Sequence, residues 1–170
     1  MFELQPTLQN ESVKLVPLKE TNFEILYKAA SDPLIWEQHP NKNRWQREVF
    51  QNFFNGAIES KGAFIIYDSK TNEDIGSSRF YDWNSEKSTV SIGYTFYVRS
   101  HWGGKYNPSA KHLMMEHAFK FVDSVIFHIG ADNIRSQKAI ERLGAVKIAE
   151  EEMAYYGEDT KLNFVYEIKR

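Results

Sequence analysis

Cysteine is absent from the 170 residues, which excludes disulfide staples, thiolate metal sites and a cysteine nucleophile. No apolar run approaches the ~20 residues that a bilayer-spanning helix needs. The opening Met1-Phe-Glu-Leu-Gln-Pro6 has neither the basic start nor the apolar stretch of a secretory leader. The expectation is a cytoplasmic protein with no membrane partner. Excess charge is lacking too: the net value of -2 argues against nucleic acid as a partner. Low-complexity tracts, repeats and linker-like stretches are also missing, so residues 1–170 read as one domain.

Apolar and aromatic residues are plentiful, at 42% and 15% of the chain, enough for a well-packed core. Val13-Lys-Leu-Val-Pro-Leu18 alternates like a strand. Glu20-Thr21-Asn22 offers a cap to a helix carrying Phe23, Leu26, Tyr27 and Ala30, which Asp32-Pro33 ends. A second helix is expected from Asn43-Arg-Trp45 to Gly62, with Val49, Phe50, Phe53, Phe54 and Ala57 on one face. Strands follow at 63–67, 75–81 and 89–98, joined by polar connectors as an antiparallel meander. A helix from Pro108 to about Val122, a strand at 125–129, a helix from Asn133 to Leu143 and strands at 145–150 and 163–168 complete the chain. The strand–helix–strand step in the second half demands one parallel pair. The fold class is therefore α/β (α+β), a mixed, mostly antiparallel twisted sheet of about seven strands flanked by four helices.

Charge is unevenly placed along this order. Between Arg99 and Lys147 stand eight basic and four acidic residues, whereas acids lead six to three from Ile148 to Arg170. A locally positive segment within a slightly acidic chain suits a small anionic ligand better than a polymer. That segment contains Arg99-Ser-His-Trp-Gly-Gly-Lys-Tyr-Asn107, a glycine-bearing basic loop between a strand and a helix. Gly103-Gly104 lets successive N–H groups turn into one concavity, Lys105 adds charge, and Asn107-Pro108 is a good helix start. Phosphate is the natural guest of such a loop. An ordinary strand-to-helix turn would need the same glycines.

A second marked segment is Asn133-Ile-Arg-Ser136-Gln-Lys-Ala-Ile140-Glu-Arg-Leu-Gly144-Ala145, with Asp132-Asn133 as cap and Gly144 as stop. Here the chain resembles the GNAT N-acetyltransferase superfamily. One family motif is a strand, pyrophosphate loop and helix. The other is Asn-x-x-Ser/Ala-x-x-x-Tyr-x-x-x-Gly-Phe/Ala, matched by Asn133 to Ala145 except that Ile140 replaces tyrosine. This string and His112-Leu-Met-Met-Glu-His-Ala-Phe119 look like the branch that acetylates N-termini of ribosomal proteins. In the loop pattern Q/R-x-x-G-x-G/A, aligned on Trp102, Lys105 stands for the central glycine and Asn107 for the last small residue.

The resemblance implies a single N-acetyltransferase domain with acetyl-coenzyme A as co-substrate and no metal. The diphosphate would rest on Trp102, Gly103, Gly104, Lys105, Tyr106 and Asn107. The pantetheine arm would lie along Phe96, Tyr97 and Val98 and reach Asn133. Ser136, facing the sulfur, would substitute for the missing tyrosine as catalytic acid. Trp36, His39 and Tyr94 would line the acceptor cleft. The implied acceptor is a primary amine, either a protein N-terminus or a small molecule such as a polyamine or amino-sugar antibiotic, and a homodimer is compatible with the composition. A catalytically silent acyl-coenzyme A sensor is the alternative from a different class.

No general base stands out; His101, Tyr94 or water chains could serve. His112 and Glu116, four apart, could hold a metal, but read as a solvent-exposed pair. His117 and His128, set among apolar residues, read as packed core histidines.

Overall fold

A computed structural model describes residues 1–154 and 157–170. Short apolar alternations fold into strands where one or both faces can be covered. In β2 (Val13–Pro17) Val13 and Leu15 are fully buried, and in β3 (Ala63–Asp68) nearly every position is. The short β1 (Leu8–Gln9) precedes them, and β4 (Asp74–Asn84) and β5 (Thr89–Tyr97) extend the meander. After β6 (Ser124–Gly130) come β7 (Val146–Ala154) and β8 (Thr160–Lys169). The eight strands form one sheet in the order β1-β2-β3-β4-β5-β6-β8-β7, and every neighbouring pair is antiparallel except β5 and β6. The extra strand over the seven expected is β1, which is too short to leave a pattern in sequence.

Four α-helices cover the faces: α1 (Phe23–Ala30), α2 (Arg47–Ser60), α3 (Tyr106–Ala118) and α4 (Ile134–Arg142). On one face α1 and α2 press Leu26, Phe50, Phe53 and Phe54 against Ile65 and Phe96. On the other, α3 supplies Ala110, Met114 and Met115 and α4 supplies Ile140 to a core with Ile92, Val125 and Phe127. Most element ends shift by a few residues from the sequence expectation, and two helices show why. Helix α2 starts at Arg47, because residues 43–46 close a turn through the Gln46 N–H and the Asn43 carbonyl (2.9 Å). That turn buries Arg44 against the Glu158 carboxylate, with contacts of 2.6 and 2.7 Å. Helix α3 begins two residues early, at Tyr106, and ends at Ala118. Pro108 is tolerated in its first turn, where no intrahelical donor is lost.

The feature that positions a site is the meeting of β5 with β6. They pair only through Thr89–Ser124, Val90–Val125 and Ser91–Ile126. Beyond that, Tyr94 adopts φ 53 and, with Thr95, occupies the place opposite Ser78 alone on β4. An extra residue bends its strand and strengthens the local twist. Past the three pairs the parallel ladder stops, and β5 and β6 diverge into a cleft.

Candidate active site

The cleft is a cavity of about 700 Å³, a size suited to a cofactor-scale ligand. Its walls are the diverging ends of β5 (Ile92 to Tyr97) and β6 (Phe127 to Gly130), the loop at Trp102–Gly104, and one side each of α3 and α4. The donor groups at its mouth come from the backbone. The Trp102 N–H is already spent on the Arg99 carbonyl at 3.1 Å, which removes it from the expected anion cradle. The N–H groups of Gly103, Gly104, Lys105, Tyr106 and Asn107 find no backbone acceptor among the described residues. Gly103 has φ 69, a value that suits glycine. The amides of Tyr106 and Asn107 belong to the first turn of α3, where the helix dipole favours an anion.

Side chains around the loop fix its shape. Trp102 Nε1 donates to the Tyr97 carbonyl (2.9 Å), and the Arg135 guanidinium lies 4.0 Å over the Trp102 ring. Tyr106 turns away from the cavity and donates to Asp68 Oδ2 at 2.9 Å. Hydrogen bonds from the Lys70 N–H and from Tyr106 hold the Asp68 carboxyl below its usual range. Lys105 points over the Tyr106 ring and, like Tyr106 and Val98, stays out of the cavity lining. These three expected cofactor residues therefore do not border the cavity, and the Val98 N–H is spent on the Ile75 carbonyl at 2.9 Å. His101 does line the cavity, but its Nε2 lies 3.5 Å from Asp68 Oδ2.

Deeper inside, Asn133 and Ser136 stand together as expected. Asn133 Oδ1 caps α4 by accepting the Ser136 N–H at 3.3 Å, and both residues border the cavity at the start of that helix. Phe96 and Tyr97 face opposite sides of β5, each on the cavity edge. The Tyr97 hydroxyl and Asn107 Oδ1 are buried without a hydrogen-bond partner. Burial drives the Tyr97 phenol well above its usual range, so it stays a neutral donor. Both residues border the cavity, but these two atoms are closed off beneath its wall, where an unpaired polar group is costly.

Toward α1 and α2, the three expected acceptor-side residues also border the cavity. Trp36 is fully buried, with Nε1 bonded to the Ala30 carbonyl at 2.9 Å, so only its ring is presented. His39 accepts the Asn41 N–H on Nδ1 (3.0 Å), and Arg44 Nη1 lies 3.2 Å from Nε2. Burial and then the Arg44 charge hold its pKa well below the ordinary value, so the ring is neutral. Tyr94 lies under Arg79, whose guanidinium carbon is 3.7 Å from the ring centroid.

Two polar cavity residues that the sequence reading left out of the site are His128 and Lys111. His128, expected in the core, lines the cavity with Nδ1 2.8 Å from the Tyr81 hydroxyl, and burial lowers its pKa. His117 is packed as expected, against Phe2, Phe80 and Phe121. Lys111 is only 6% exposed on α3 and donates to Thr95 Oγ1 at 2.8 Å. Its signal was in the sequence: residues 111, 114, 115 and 118 share the apolar face of α3. Among the described residues no cluster could hold a metal, and no helix is long and apolar enough to cross a membrane.

Solved structures share this arrangement. A GCN5-related N-acetyltransferase from Brucella melitensis superposes with a TM-score of 0.81 at 15% identity, over 97% of this chain and 79% of that one. A Vibrio cholerae protein assigned as a ribosomal-protein-serine acetyltransferase gives 0.76 at 15% identity, with all of both chains covered. Mycobacterium smegmatis RimJ, solved with CoA-disulfide, gives 0.72 at 14% identity over 96% and 86%. No curated protein matches the sequence. The family description "Acetyltransferase (GNAT) domain" matches residues 12–146, and the chain belongs to that family of acetyltransferases.

Proposed function

We propose that the protein transfers an acetyl group from acetyl-coenzyme A to a primary amine by direct attack within a ternary complex. The observation that carries this is the cavity itself. It joins the loop at Gly103, Gly104 and Asn107, whose amides are unpartnered in the backbone, to Ser136 through the gap between β5 and β6. Acetyl-coenzyme A supplies the activated thioester. The loop amides hold its diphosphate, assisted by the positive end of α3. Backbone groups of Phe96 and Tyr97 pair with the arm. A main-chain N–H beside the Tyr94 bulge, preorganised by the sheet, receives the charge that develops on the carbonyl oxygen. Asn133 sets the first turn of α4, and Ser136 hydrogen-bonds the sulfur.

The amine arrives from the α1–α2 side, past Trp36, His39 and Tyr94. A protein N-terminal amine is the favoured acceptor, on the resemblance of Asn133–Ala145 and 112–119 to that branch and the likeness to the Vibrio cholerae protein assigned as a ribosomal-protein-serine acetyltransferase. Isothermal titration with acetyl-coenzyme A, followed by thiol release across N-terminal peptides, spermidine and an aminoglycoside, tests the assignment. Binding with turnover on a peptide supports it. Absence of binding at high micromolar concentration refutes it.

A further inference from the structure

Lys111 has a place in this site that acyl transfer does not yet use. Its ammonium group is buried on α3, and its recorded partner is Thr95 Oγ1, which in turn lies 2.8 Å from Ser78 Oγ. Among the described residues no carboxylate comes within ion-pair distance of it. An uncompensated buried ammonium is costly, and this one borders the cavity. Thr95 is the second residue of the bulge, directly before Phe96. If the arm runs from the loop along Val98 to Phe96, the thioester end arrives at Thr95, against the Lys111 amine.

We propose that Lys111 is the proton carrier of the transfer, giving a proton to the departing sulfur and taking one from the acceptor nitrogen. This rests on the acetyl-coenzyme A assignment above. As the nitrogen–carbon bond forms, the carbon–sulfur bond breaks and its electron pair leaves on sulfur. Sulfur takes a proton from Nζ, and the proton shed by the acetylated nitrogen returns to the neutral Nζ. Protons and charge balance with no further reagent. Both atoms are bonded to the same carbon as the exchange occurs, so one amine can serve both. Burial alone lowers the Lys111 pKa to about 7, with no charged group contributing; the facing groups from β4 and β5 are the hydroxyls of Ser78 and Thr95. A carrier near neutrality is matched to this work, whereas the Ser136 hydroxyl is a far weaker acid.

The test uses free coenzyme A as probe, so it needs no knowledge of the acceptor. Ultraviolet titration of the bound thiol reports its ionisation in the wild type and in Lys111→Met. The wild type should lower the thiol pKa so that the thiolate fraction at pH 7 rises about tenfold, as a neighbouring cation does. Lys111→Met should abolish the rise while binding coenzyme A within about threefold of wild type. On any amine the enzyme accepts, kcat should fall more than tenfold with KM for acetyl-coenzyme A little changed. Coenzyme A bound with the same thiol titration in both proteins overturns the proposal and leaves the acetyltransferase assignment standing. Failure of the wild type to bind coenzyme A overturns both.

Discussion

Replacing Lys111 by methionine should make the protein more stable, with a gain that depends on pH in a defined window. Burial brings the amine from 10.5 to about 7. A depressed base is bound to more protons in the unfolded chain than in the folded one between those two values, so wild-type stability rises with pH across that window. Below pH 7 the penalty is fully present. At about 1.4 kcal/mol per unit the 3.5-unit difference amounts to about 5 kcal/mol as an upper bound. Methionine keeps the unbranched shape and gives up one hydrogen bond worth about 1 kcal/mol, while Thr95 retains Ser78. The net expectation near pH 6 is about 4 kcal/mol at most, or roughly 10 °C in Tm for a chain of this length. Buried His39 and His128 also lower stability in acid, since the unfolded imidazoles protonate first. They do so equally in both proteins, so the difference between the two curves isolates Lys111. Thermal scans from pH 6 to 10.5 should show that difference shrinking with pH and reversing by about 1 kcal/mol at the alkaline end, where only the lost hydrogen bond remains. A variant no more stable than wild type at pH 6, or a gap constant with pH, refutes the reasoning.

Other substitutions probe separate parts of the site. Ser136→Ala should keep acetyl-coenzyme A affinity, by titration calorimetry, and lower kcat about tenfold. Equal kcat would remove the hydroxyl from the chemistry. Gly103→Ala forces a side chain into φ 69, at about 1 kcal/mol of strain, and should weaken acetyl-coenzyme A binding several-fold with little change in Tm. Glu158→Gln withdraws the carboxylate from buried Arg44 and should cost about 3 kcal/mol in urea unfolding. Phe50→Ala, at the centre of the α1–α2 core, should cost about 3–5 kcal/mol.

Elements whose periodicity is local were legible in sequence. The apolar spacing along Val49 to Ala57, the Asp32-Pro33 break and the Asn133 cap each depend on residues a few positions apart, and each stands where expected. The parallel pair followed from connectivity alone. What escaped is non-local. Arg44 reads as a helix opener until Glu158, 114 positions later, is seen to claim it. Glu150-Glu-Glu152 disfavours a strand by composition, yet the segment pairs residue by residue with Phe164, Asn163 and Leu162 of β8. Lys111 reads as a surface cation because lysine is rarely buried, although its helical neighbours marked the face as apolar.

The bulge at Tyr94 links these gaps to function. Nothing in Ser91-Ile-Gly-Tyr94 announces a tyrosine at φ 53, because the conformation is imposed by packing. Its ring is held by Phe53 and Tyr81 and lies under Arg79. The cost of about 1–2 kcal/mol for a left-handed non-glycine residue is met by those contacts. The return is geometric. One added residue ends the β5–β6 ladder and turns Thr95 toward α3 and Phe96 toward α2. Main-chain groups that would have paired with β6 are left facing the gap. A ligand can then occupy the interior of a sheet, with donor groups reaching it from α3 and α4 and an amine from the opposite face. In this chain the register shift at Ser77–Arg79, more than any single side chain, makes acyl transfer possible.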